Sequence, residues 1–378
     1  MESADLSDLY AIRELAEKFS KKEVEPEALK RDNYPFEAFD EKVVEIAAST
    51  GLLGLTLPEE YGGTGQGIRE LAAVVEIVSR KDASMAMMLL SQSFASSLLV
   101  ALGPEDVAKK HAALPDNGTP TLLASTFYND PEHLPTSVSA AENGGGYTLE
   151  GELGYVACLP VAGATIVPAS IDGDRIAFFL VRNNAVGVEV SDPVVSLGLK
   201  GFPVADMKFD KVEVSRNARL GGADAEKVYA EVAENHRCGV AAVAVGIIDG
   251  AYCSARDYAA DRFQGRKQII EHDMVRRMLS GMVQAVDVGS ALVAQACTMA
   301  DKGVNCSKST ILSIQQYLTK EAAEATTDGV QCLGGYGYMK DYGQEKRMRD
   351  AKQLQAVFGS SPTRVQKIIE RRLATEIL

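Results

Sequence analysis

The stretch Gln331–Ser361, QCLGGYGYMKDYGQEKRMRDAKQLQAVFGSS, decides the reading of this 378-residue chain. It opens on Gly334 and Gly335, which either admit a close backbone approach or simply join two helices. It closes on Phe358, a large apolar residue directly before Gly359 and Ser360. Helical spacing runs outward on both sides. Behind it lie Val228–Arg262, His272–Asp301 and Ser307–Asp328, and ahead lies Pro362–Leu378. The first of these carries small residues on much of its face (Gly239, Ala241, Ala242, Ala244, Gly246), which admit another helix or a ligand.

Further out the pattern changes. Residues 120–220 hold short β-type runs: Tyr147–Gly151, Ala164–Ala169, Arg175–Val181, Val186–Val190 and Ala205–Phe209. Asn143 and the glycines 144–146 signal a hairpin. Before them, Leu9–Phe19, Phe36–Thr50, Arg69–Ser79 and Ser84–Leu102 read as helices, the last apolar nearly all round and so buried. The fold class is α+β: an N-terminal helical domain over 1–118, a central antiparallel β-barrel over 119–222, and a C-terminal helical bundle over 223–378.

A net charge of −13 argues against nucleic acid, which needs a basic face. Six cysteines form no C-x-x-C pair and the four histidines are scattered, so no metal site is expected. The N-terminus is acidic and polar, unlike a signal peptide. The longest apolar run, Cys238–Ile248, is too short to span a bilayer. The expectation is a reduced, cytoplasmic protein away from membranes.

Three segments in the same order resemble the acyl-CoA dehydrogenase family. They are GLLGLTLPEEYGG at 51–63, LGLKG at 197–201 followed by FDKVEV at 209–214, and Gln331 to Asp350. The resemblance implies a helical domain, a β-barrel and a four-helix bundle, with FAD between barrel and bundle and partly on a neighbouring subunit. It also implies an acyl-CoA substrate, an electron-transferring flavoprotein as electron partner, and a homotetramer or a heterotetramer with a related subunit.

Carried over by position, Arg262 matches the arginine that holds the FAD diphosphate of the adjacent subunit. A guanidinium suits that role with its planar fork of donors. The family's Phe-Gly pair reads Gly265-Arg266 here. Gln331, Gly334 and Gly335 match residues around the FAD adenosine and diphosphate, and His272 and Ser360 fall at cofactor positions. The family's Thr-Glu-Pro-Gly aligns to Ser125-Thr126-Phe127-Tyr128, so Ser125 keeps a hydroxyl against the flavin ring. Trp-Ile-Thr aligns to Tyr155-Val156-Ala157: Tyr155 keeps an aromatic wall, and Ala157 lacks the hydroxyl for flavin N5.

Phe358 stands where most of the family has its catalytic glutamate. The backbone N–H of that position helps polarise the thioester carbonyl, and Gly359 adjoins it at the substrate. Some members place the base on the long helix, which aligns to His236. An imidazole can act as a base near neutral pH. Arg237 matches an arginine near the active centre, and Glu234 an acidic position on the CoA arm.

Three readings follow from this set. One is an FAD-dependent enzyme that desaturates, or in reverse reduces, an atypical branched or cyclic acyl-CoA. Another is a scaffold subunit without a base in a heteromeric acyl-CoA dehydrogenase. A third keeps the fold and changes the reaction on the CoA thioester.

Overall fold

The computed structural model describes residues 2–111, 121–171, 173, 175–302 and 307–376. The expected domain boundary at 118/119 and Cys306 lie outside them. The N-terminal helices are α1 (Glu2–Phe19), α2 (Ala28–Arg31), α3 (Glu41–Ser49), α4 (Ile68–Ser79), α5 (Ala83–Leu102) and α6 (Glu105–His111). The central strands are β1 (Leu123–Ala124), β2 (Val138–Glu142), β3 (Gly146–Ala157), β4 (Ala164–Ile171), β5 (Arg175–Arg182), β6 (Val188–Val190), β7 (Val204–Ser215) and β8 (Arg219–Leu220). There follow α7 (Ala225–Asp261), the small hairpin β9 (Phe263–Gln264) and β10 (Lys267–Gln268), α8 (Asp273–Lys302), α9 (Ser307–Leu333), α10 (Gln344–Leu354) and α11 (Ser361–Glu376).

The central domain is an open mixed sheet and not the expected closed antiparallel barrel. Its order is β6-β7-β3-β2-β4-β5-β8, with β1 also on β4. The pairs β1–β4 and β2–β4 are parallel, the latter through a single register pair, Ser139 with Ser170. The sheet ends on β6, of three residues, and β8, of two. Such short edges leave almost no ladder with which to close, and they also blunt edge-to-edge association. The hairpin at 143–146 forms as its sequence predicts: the Asn143 side-chain oxygen accepts from Gly145 and Gly146 N–H at 3.2 and 2.8 Å. One sheet face buries its own core of Leu149, Val156, Val167, Phe179, Met207, Phe209 and Val212.

The C-terminal domain has five α-helices among the described residues: α7, α8 and α9 pack on one another, and the shorter α10 and α11 lie against α9. The small-residue face of α7 receives helices. A methyl group at Gly246 would sit 2.1 Å from the Glu76 carbonyl oxygen of α4, and one at Gly239 2.3 Å from Leu90 of α5. Among the described residues, α5, α7 and α8 are long and apolar enough to cross a membrane by length and composition, but 78% of the apolar window of α5 and of α7 is buried within the protein.

A buried ion network ties the domains together. Asp82, the N-cap of α5, faces Arg31 at 2.8 Å and Lys346 of α10 at 3.0 Å. Lys346 also meets Asp350 at 2.7 Å, and Asp350 accepts from the Leu199 N–H at 2.6 Å. Helical N-terminal, central and C-terminal parts are thereby fixed around one interior.

Candidate functional site

The site is built where the loop after α10 meets the segment following β1 and the middle of α7. Phe358 takes a positive φ of 54°, which an L-residue adopts at a cost. The loop is held there by its carbonyls. Arg364 of α11 donates to the Val357 carbonyl at 3.0 Å and to the Gln355 carbonyl at 2.9 Å, and also to that of Gly359. Gln315 of α9 donates to Val357 at 3.0 Å, and Arg237 donates to the Phe358 carbonyl at 3.2 Å. Burial, with the nearby Arg237 charge, pushes Arg364 down to about 10.

The backbone N–H groups of the loop are also engaged. Phe358 N–H donates to the Phe127 carbonyl at 3.1 Å, and Gly359 N–H to that of Tyr128 at 3.2 Å. This corrects the expectation that the N–H at 358 stands free to polarise a thioester: Phe127 already uses it. The Phe358 ring is fully buried, with its centroid 4.6 Å from Phe127 and 5.2 Å from Phe94. Its side chain packs on protein aromatics and on Arg237, whose guanidinium lies 5.7 Å from the ring centre.

His236 lies beside this cluster, 5.5 Å from the Phe94 ring. Its Nδ1 donates to the Val232 carbonyl at 2.8 Å, since a carbonyl can only accept. Nε2 is then the acceptor for the Ser93 hydroxyl at 3.1 Å, and Thr56 bonds Ser93 at 2.6 Å. Burial lowers His236 to about 4. The imidazole is therefore neutral at ordinary pH, weakly basic, and already bonded at the nitrogen a substrate proton would need. Glu234 is buried between Arg237 at 3.1 Å and Arg371 at 2.7 Å, so both carboxylate flanks are paired inside the protein.

The two ends of the expected FAD footprint differ. At the adenosine-diphosphate end, Arg262, Gln331, Gly334 and Gly335 are exposed. Tyr258, one turn before Arg262, meets Tyr336 at 6.1 Å, which places the ends of α7 and α9 side by side. A methyl group added at Gly334 or Gly335 would meet nothing within 4 Å, so the cradle is open. These residues fit a diphosphate. His272 is turned inward on its hairpin, its Nε2 donating to the Gln264 carbonyl at 2.9 Å. Ser360 is exposed and bonds Thr363 at 2.9 Å.

At the ring end the residues do not fit. Ser125, Thr126 and Ala157 are 0–1% exposed, whereas residues facing a removable ligand line an open cleft. Ser125 and Ala157 pair through their backbones at 3.1 and 3.3 Å, and Thr126 bonds the buried Tyr229 hydroxyl at 2.9 Å. The Ser125 hydroxyl is buried without a partner. Tyr155 accepts from Gln353 of α10 at 2.5 Å and packs on Tyr128 at 4.9 Å. Sequence reading missed Arg364, Gln315 and Phe94. It registered Phe127 and Tyr128 only as departures from Pro-Gly, although two large rings in that place were the available signal.

Family models for the acyl-CoA dehydrogenase N-terminal domain and C-terminal domain match residues 7–115 and 227–373. A cyclohex-1-ene-1-carbonyl-CoA dehydrogenase of Geobacter metallireducens is 30% identical over 90% of this chain and 91% of its own length. An acyl-CoA dehydrogenase of Bacillus subtilis is 28% identical over 95% of each chain. Among solved structures, a chain from work on the electron transferring flavoprotein of Acidaminococcus fermentans superposes with a TM-score of 0.89, 25% identity and 97% coverage of both chains. With the fold, the order of its domains and these relatives in agreement, the chain belongs to the acyl-CoA dehydrogenase family, FAD-dependent flavoenzymes that are oxidoreductases acting on CH–CH bonds.

Proposed function

We propose that this chain is a subunit without a catalytic base in an acyl-CoA dehydrogenase-type flavoenzyme, assembled with a related subunit that carries the carboxylate. Its share of the FAD site is the adenosine-diphosphate surface of Arg262, Gln331, Gly334 and Gly335, offered to the cofactor of that neighbour. The carrying observation is position 358, where the carboxylate is replaced by a buried ring and the N–H is bonded to Phe127. An acyl-CoA is the substrate of such an assembly, and an electron-transferring flavoprotein its electron acceptor.

Co-expression with a base-bearing relative tests this reading. The two chains are expected to co-purify with bound flavin, and Arg262→Ala in this chain to lower the flavin content while the assembly persists. A lack of association with any such relative, or unchanged flavin content in the variant, would overturn it.

A second reading is favoured by the cyclohexene-type relative: a site of its own for a branched or cyclic acyl-CoA, with His236 as base. It requires flavin bound to this chain alone, bleached better by cyclic than by straight-chain acyl-CoAs, and turnover lost in His236→Ala. The low basicity of His236 and the engaged Nε2 weigh against it.

A further inference from the structure

The aromatic residues around Phe358 do more than line a pocket. Phe94, Phe127, Phe202 and Phe358 are all buried to 1% exposure or less. They form a connected set, with Phe127 contacting Phe94 at 5.4 Å, Phe358 at 4.6 Å and Phe202 at 6.1 Å. Tyr128 extends it to Phe202 and Tyr155. The set is contributed by α5, the segment after β1, the loop before β7 and the loop after α10, so it joins all three parts of the fold.

We propose that this cluster is a built-in replacement for the isoalloxazine ring: it occupies the ring's place between the central sheet and the C-terminal helices, and the chain folds without flavin at its own site. Two observations carry this. The loop at 358–359 is bonded directly to the backbone at 127–128 at 3.1 and 3.2 Å. A flat ring slid between two packed surfaces needs about 7 Å, twice the contact distance between carbon atoms, so ring and ladder cannot coexist. Thr126 and Ala157, at positions aligned to flavin contacts, are 0–1% exposed and already bonded within the protein, Thr126 to the Tyr229 hydroxyl at 2.9 Å and the Ala157 N–H to the Ser125 carbonyl at 3.1 Å.

The proposal deepens the subunit reading and rests on it for biological meaning, but it can be tested separately on the full chain purified alone. Riboflavin supplies the ring without the diphosphate, and ADP the diphosphate without the ring. The melting temperature and the fluorescence of riboflavin are both expected to stay unchanged when the two are mixed. Phe358→Ala is expected to open an apolar cavity, so that benzene raises the melting temperature of the variant and not of the wild type, as dry engineered cavities do. Phe358→Leu serves where the alanine variant does not fold, with a smaller response.

Riboflavin quenching or a raised wild-type melting temperature would overturn the replacement, as would a Phe358 variant indifferent to benzene. Failure of the chain to associate with a base-bearing relative would sink the subunit reading alone and leave these results standing.

Discussion

Replacing Phe358 with alanine separates packing from catalysis. The ring is fully buried, lies 4.6 and 5.2 Å from two other rings and carries the Arg237 guanidinium at 5.7 Å. Truncating a buried phenylalanine costs about 3–5 kcal/mol. Each aromatic pair adds about 1 kcal/mol, and a desolvated cation–π contact about 2 kcal/mol, so the upper end, about 5 kcal/mol, is expected here.

Alanine keeps the positive φ of 54° and so relieves no backbone strain. Glycine does relieve it, and Phe358→Gly should exceed Phe358→Ala in stability by about 0.5–1 kcal/mol, against the usual order. Urea denaturation followed by circular dichroism measures both. Tyrosine fluorescence is a second probe, because the chain has no tryptophan. Protein concentration is held fixed, since association adds to apparent stability. A Phe358→Ala midpoint equal to or above that of wild type would refute the reasoning, because it would mean the ring faces a ligand space and not a packed interior.

Ser125→Ala should leave stability unchanged or raise it by up to about 1 kcal/mol, because it removes a buried hydroxyl without a partner; a loss larger than that in urea denaturation would show the hydroxyl to be bonded. His236 is lowered from 6.5 to about 4 by burial. The unfolded chain therefore takes up its proton first as pH falls. The associated stability, about 3 kcal/mol, is complete above pH 6.5, is lost between 6.5 and about 4, and stays flat below. His236→Gln should flatten that window in a pH series of urea midpoints, and an unchanged slope would count against a buried neutral imidazole. Asp82→Asn leaves Arg31 and Lys346 facing an uncharged group in the interior, with an expected loss of about 3–5 kcal/mol in the same assay; a loss under 1 kcal/mol would show the network to be dispensable.

Much of the fold is legible because it is written in local patterns. The apolar run of α5, the small-residue face of α7 and the glycine hairpin at 143–146 each dictate their structure over a few turns of chain. Closure of the sheet is not local. It depends on the short edges β6 and β8 and on the parallel approach of β2 to β4, for which single-strand patterns hold no signal. At the site, the absent carboxylate at 358 is plain in the sequence. The partner of the Phe358 N–H is not, because every residue but proline carries the same backbone donor and only the tertiary fold brings Phe127 to it. Arg364 is invisible for a similar reason: nothing in its neighbours marks one arginine of α11 as the clamp on the 355–359 loop. Phe127 and Tyr128 were readable as bulk, but their meaning depends on the rings of α5 and of the 358 loop that meet them.

The most direct measurement of the central claim is the flavin content of the full chain purified alone, read from its visible absorbance and followed on adding acyl-CoA. The account predicts a colourless protein that becomes flavin-bearing only in complex with a base-bearing relative. A yellow chain on its own, bleached by an acyl-CoA, would contradict it.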